Sequence, residues 1–224
     1  MEAGRVGPRE ADLAPAPAEA ATSRAGWTPA DPGPLGLAAF AMTTLVLSMY
    51  NANLINPGGL LVVLSLALAY GGIVQLLAGM WEFRTGNTFG AVAFSSFGAF
   101  WISYFILVRL IIVPKLIAPA QVDNAVALYL YGWAIFTTYM FVASLRTTGA
   151  VALVFLLLAA TFWILAIGNA SLSGTTAATN STIKLGGWFG LVTAGAAFYA
   201  SFASVTNSTF GRIMLPVFPL RRAA

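Results

Sequence analysis

Six stretches of the chain run on with almost no charged side chain and no alternation of polar and apolar positions, at about 35–55, 59–81, 89–113, 124–145, 150–170 and 184–205. A helix needs about 20 apolar residues to cross the ~30 Å hydrocarbon layer, and the strands of a membrane barrel would alternate instead. The pattern therefore predicts an all-α integral membrane protein, a bundle of six transmembrane helices. The connections are short and carry turn chemistry: a Pro/Gly turn from Asn51 to Gly59, a polar loop from Glu82 to Thr88, a Pro-bounded loop from Pro114 to Asp123, and a Ser/Thr/Asn-rich link from Ser171 to Thr182. Residues 1–30, rich in Ala, Pro, Gly and Glu, have little to bury and read as a disordered tail. Arg5 and Arg9 precede an Ala/Pro/acidic run and no apolar stretch, so this is not a signal-peptide pattern. Residues 31–217 form the six-span domain and residues 218–224 a short basic tail.

Composition narrows the chemistry. Hydrophobic residues make up 59% of the chain and charged residues 8%, against about 25% charged in a soluble domain. There is no cysteine and no histidine, which removes disulfides, thiol nucleophiles, imidazole acid–base catalysis and the usual zinc ligands. No residue pair offers a nucleophile with its base, so the chain is not read as an enzyme, and no metal or cofactor is implied. The formal net charge of +4 does not point to nucleic acid, because the basic residues are scattered and form no stripe. Membrane topology accounts for them better. With six spans both termini share one side, where Arg5, Arg9, Arg24, Arg84, Arg146, Arg212, Arg221 and Arg222 fall, while Arg109, Lys115 and Lys184 fall opposite. The bias places both termini in the cytoplasm.

Ionisable residues inside spans usually mark function, since each is costly to bury. Here Glu82 and Asp123 fall at span ends, Glu82 reads as a solvated loop partner of Arg84, and Arg109 lies a turn from its span end, where it can snorkel to the interface. The spans carry neutral polarity instead, including Thr43, Thr44, Ser48, Asn51 and Asn53 in the first and Ser95, Ser96 and Ser103 in the third. Most hydroxyls bond their own helix backbone. The carboxamides of Gln75 and Asn169 are more pointed, because an unpaired buried amide costs a few kcal/mol, about 2–7, and each must face another helix or a pore. Asn87 or Thr88 is positioned to cap the third span, whose free N–H groups would attract an anion. Gly186, Gly190, Ala194, Ala197 and Ser201 give the last span a small-residue packing face. Ahead of the first span, Asp31-Pro32-Gly33-Pro34-Leu35-Gly36-Leu37 reads as a helix start with Asp31 as cap and Pro32 at the first helical position.

Taken in order, several islands resemble one family. Asp31 to Leu37, Thr43 to Leu47, Tyr70 to Gln75, Gly86 to Gly90, Phe100-Trp101, Pro114 to Leu116, Ala166 to Asn169, Gly187-Trp188, Phe210 to Arg212 and Leu215-Pro216 are similar to the motifs of the acetate uptake transporters, the succinate–acetate permease family. The resemblance covers residues 31 to 217. It implies a six-span protein, assembled as a hexamer with a pore in each protomer, that moves acetate and in some cases succinate together with protons. For a cell lacking organelles, a multi-pass protein is expected in the plasma (inner) membrane. The resemblance also implies a constriction formed by Phe40, Phe97 and Leu158, from the first, third and fifth spans. Gln75, Asn87, Thr88 and Asn169 are the polar candidates along the path. Two positions depart from the family's pattern: Phe97 stands where a tyrosine is common, and Asp31 where an asparagine is usual. The residues themselves leave two other readings open, a passive channel for acetate or small solutes and a membrane scaffold that transports nothing.

Overall fold

A computed structural model describes Trp27, residues 29–172, Ala177 and residues 179–220. The disordered-tail expectation for residues 1–30 thus lies almost wholly outside the described residues. Six membrane-length helices follow: α1 (Gly33–Asn51), α2 (Gly58–Thr85), α3 (Thr88–Ile112), α4 (Pro119–Ser144), α5 (Gly149–Ala170) and α6 (Ser181–Phe210).

Their boundaries differ from the sequence pattern where charge and turn chemistry disagree. Helix α2 runs through Glu82 and Arg84 and stops only at Gly86, whose φ of 77° no β-carbon favours. Helix α6 likewise continues to Phe210, to be ended by Gly211 at φ 65°. At the start of α1 the cap is one residue out of the expected register. Asp31 Oδ1 accepts the Gly33 N–H at 2.8 Å, Pro32 stands before the helix, and Pro34 is the second helical residue. Asn87 caps α3 as expected, accepting the Gly90 N–H at 3.1 Å. Two helices are locally over-wide: α2 has a π-helical stretch at Ala69–Val74 and α3 another at Leu107–Ile112.

The helices pack as a ring in the order α3, α2, α1, α6, α5, α4. The α1–α6 seam is close because Gly187 lies against the backbone at Asn51 and Ala52, and Gly190 against Ser48. Gly186 takes the Leu165 side chain of α5. The small-residue face of α6 is therefore spent within the chain, on α1 and α5. The ring closes differently between α3 and α4, whose backbones make few close approaches. Long aromatic side chains bridge that gap: Phe97 meets Trp133 and Phe136, and Phe100 meets Tyr129 and Trp133, with ring centroids 5.1 to 6.0 Å apart.

Past α6 the chain doubles back beneath the helix ends. Asn207 holds the return, with Oδ1 accepting from the backbone of Met214 and Leu215 and Nδ2 donating to the Leu215 carbonyl. The Gly149 N–H then donates to the Phe218 carbonyl at 2.6 Å and the Leu220 N–H to Thr147 at 2.9 Å. Residues 215–220 thus lie as a strap against the turn between α4 and α5.

Candidate functional site

Two cavities enter the helix ring from opposite ends. The larger, about 680 Å³, lies among the start of α1, the end of α2, the start of α3, the α4–α5 turn and the end of α6, with Val217 of the strap in its wall. The smaller, about 260 Å³, lies among the end of α1, the ends of α3 and α5 and the first half of α4.

What separates them is set by helical spacing on three helices. On α1, Leu37 faces the larger cavity and Phe40 and Thr44 the smaller. On α5, Phe155 faces the larger and Leu158 and Phe162 the smaller. On α3, Phe94 lines the larger, Phe100 and Trp101 the smaller, and Phe97 lies between them, lining neither. Phe97 is 2% exposed, and its ring is 5.9 Å from Phe40, 6.1 Å from Phe155 and 6.4 Å from Phe162. The sequence-derived trio of Phe40, Phe97 and Leu158 therefore meets in one buried apolar layer, with Phe94, Phe155 and Phe162 around it. An ion held in such a layer would lose its hydration with no donors to replace it.

The polar candidates separate. Asn87 and Thr88 line the larger cavity, together with the Asp31, Gly33 and Pro34 of the threshold motif. Leu35 points outward and is exposed, whereas Gly36 is buried against the Phe94 ring, 2.6 Å from where a β-carbon would stand. Asn169 lines the smaller cavity, with its Nδ2 donating to the Leu165 carbonyl of its own helix at 2.8 Å. Gln75 is buried, lines neither of these two cavities, and leaves Oε1 without a partner.

Other polar groups in the walls were named in the sequence only as span polarity, motif or loop residues and not as candidates for the path. Thr44 and Trp101 line the smaller cavity, and Thr44 Oγ1 and Trp101 Nε1 are buried without a hydrogen-bond partner. Tyr129 lines it too, its hydroxyl 2.7 Å from Ser103 Oγ and donating to the Phe100 carbonyl. In the larger cavity the omission was Glu82. The expected solvated pair with Arg84 does not form: Glu82 is 2% exposed and lines the cavity, while Arg84 turns away to the Trp27 carbonyl at 3.4 Å. The helix carries on past Glu82, so its carboxyl is directed into the bundle while Arg84, two residues on, faces out. Thr85 Oγ1 lies 3.2 Å from Glu82 Oε2, and Asn87 Nδ2 borders the same spot beside Gly90 as the Glu82 carboxyl. Arg109, as expected, is exposed near the end of α3.

Six membrane-length helices around two cavities, with an aromatic layer between them, define a polytopic helical membrane protein. The comparisons with known proteins agree. The profile of the GPR1/FUN34/yaaH family matches residues 13–222. The chain is 42% identical over 198 residues to acetate permease A of Emericella nidulans, covering 84% of this chain and 65% of that protein. It is 38% identical over 189 residues to the succinate-acetate/proton symporter SatP of Escherichia coli, covering 84% of this chain and 95% of that one. A solved structure of the bacterial acetate channel SatP superimposes with a TM-score of 0.74 at 36% identity, over 84% of this chain and 99% of that one. The chain belongs to the GPR1/FUN34/yaaH family.

Proposed function

We propose that this protein transports acetate and related small carboxylates, succinate among them, across a membrane, together with protons and through a pore within each protomer. The observation that carries the reading is the Phe97 layer, with Phe40 and Leu158, standing between two cavities that open at opposite ends of one helix ring. The names of the relatives, an acetate permease and a succinate-acetate/proton symporter, support the choice of substrate.

The chemistry of the layer supports proton linkage. A carboxylic acid with a pKa near ~4 to 5, by analogy with Asp and Glu, is only about one part in a thousand to one part in a hundred neutral at pH 7. That neutral form can cross an apolar layer that the anion cannot, so each molecule carries its own proton. Asn87 and Thr88 on one side, and Thr44, Trp101 and Asn169 on the other, are the groups we assign to binding the carboxyl group before and after the crossing. The distribution of Lys and Arg supports cytoplasmic termini, which makes the larger cavity the inner one, and we assign the protein to a plasma membrane. The exposed apolar face of α4, with Leu128, Ile135, Tyr139 and Val142, suits lipid or the neighbouring protomer of a hexamer.

Uptake of labelled acetate into proteoliposomes, with and without an inward proton gradient, tests the reading. Saturable uptake stimulated by the gradient is expected, and no uptake above protein-free vesicles would sink it. The description of the SatP structure as a channel supports a second reading, passive conduction, which the same experiment would detect as acetate flux indifferent to the gradient. Sizing of the detergent-purified protein tests the hexamer.

A further inference from the structure

The larger cavity holds a carboxylate that the transport scheme above does not use. Glu82 is buried at the end of α2, yet its carboxyl group forms part of the cavity wall. The surrounding backbone is shaped to it. A β-carbon at Gly90, at the start of α3, would stand 2.6 Å from Glu82 Cδ, and one at Gly33, at the start of α1, would stand 3.4 Å from Glu82 Oε1. The same point above Gly33 is 3.0 Å from Asp31 Oδ1. Two carboxylates from different segments therefore border one spot, where the starts of α1 and α3 come together on the way to Leu37 and Phe94. Thr85 fixes the Glu82 end and the Gly33 N–H fixes the Asp31 end.

Among the described residues the other charged side chain in this wall is Arg146, from the α4–α5 turn; of these residues α3 and α6 contribute only Thr88 and Ser204 as polar side chains, and Arg84 points elsewhere. Two carboxylates against one guanidinium make the approach to the aromatic layer unfavourable for an anion and indifferent to a neutral acid. We propose that Glu82, reinforced by Asp31, is an anion filter that makes transport electroneutral: it keeps the carboxylate anion from the Phe97 layer and lets the protonated acid reach it. This deepens the transport reading and rests on it. The apolar layer alone discourages the anion; the filter also lowers the anion's concentration beside the layer. Asp31 makes this chain's filter stronger than one carboxylate would.

The test is the membrane potential produced by an acetate gradient across proteoliposomes, read with a voltage-sensitive dye. Acetic acid that leaks through lipid carries no net charge, so it does not contribute. Wild-type protein should move labelled acetate and develop no potential. E82Q keeps the size of the side chain and its bond to Thr85; it should develop an acetate diffusion potential and lose its dependence on a proton gradient. D31N, whose Oδ1 can still accept from Gly33, should shift in the same direction by less, and E82D should remain electroneutral. If wild-type protein moves no acetate above empty vesicles, the transport reading itself fails. If it moves acetate and E82Q stays electroneutral, or if wild-type flux is already electrogenic, the filter is overturned while transport stands. Should E82Q prove misfolded by sizing, D31N decides: a potential supports the filter, and electroneutral flux equal to wild type overturns it. A merely structural role for Glu82 would lower the amount of folded protein without generating a potential.

Discussion

Phe97 on α3 and Phe162 on α5 lie face to face across the bundle, their rings 6.4 Å apart and within 10° of parallel. This pair fixes the thickness of the layer between the two cavities, because Phe97 lines neither while Phe162 already lines the smaller. Phe136 meets Phe97 in a T-shaped contact, with ring centroids 5.4 Å apart, and so packs against it from α4.

Truncating Phe97 to alanine should therefore join the two cavities. Loss of a buried Phe costs soluble cores about 3–5 kcal/mol, and the melting temperature in detergent should fall. In the protein that does fold, larger carboxylates should pass: the ratio of succinate to acetate uptake should rise several-fold. An unchanged ratio would mean that the layer is not the selective barrier.

The α1–α6 seam gives a prediction that separates two neighbouring glycines. At Gly187 a β-carbon would strike the backbone of Ala52, which cannot move without shifting the end of α1, whereas at Gly190 it would strike the Ser48 side chain. Gly187→Ala should destabilise by about 1–3 kcal/mol, the usual cost of overpacking. Gly190→Ala should cost less, since Ser48 can change rotamer. Thermal unfolding in detergent measures both, and equal effects would refute the distinction.

The spans were legible because burial in lipid demands long apolar runs, and the resemblance named three side chains, Phe40, Phe97 and Leu158, that share one buried apolar layer. The wider layer also had a signal in the sequence. Phe94, Phe97 and Trp101, and likewise Phe155, Leu158 and Phe162, recur at the three- and four-residue steps that align side chains on one helix face. Glu82 was misread because a charge near a span end ordinarily marks a loop, and nothing local says that the helix continues to Gly86. Gln75 went the other way: a polar residue within a span invites a pore role, yet it packs away from both cavities described here. The C-terminal strap had no periodic signal at all, because it is held by backbone groups and by the single side chain of Asn207.

Replacing Asn207 by alanine removes three hydrogen bonds that hold the turn after α6. Each is worth about 0.5–1.5 kcal/mol at most, and those of exposed groups less. The bundle should remain folded while residues 215–220 loosen from the α4–α5 turn. Limited trypsin digestion should cut faster after Arg212 than in wild type. Asn207→Asp, which keeps the two accepted bonds, should fall between them, and identical digestion of all three would dismiss the clamp.

Thr44 offers the sharpest separation of stability from function. Its hydroxyl is buried beside the smaller cavity without a partner, and an unsatisfied buried polar group costs about 1–3 kcal/mol. Valine has nearly the same shape and no hydroxyl, so Thr44→Val should leave the melting temperature unchanged or raise it. If that hydroxyl is one of the donors that receive the carboxyl group after it crosses the Phe97 layer, the same substitution should raise the KM for acetate, with little change in maximal uptake. Concentration-dependent uptake in proteoliposomes, set beside thermal unfolding of the same preparation, reads both quantities. A more stable protein with unaltered KM would show that Thr44 is an uncompensated packing residue and not part of the path.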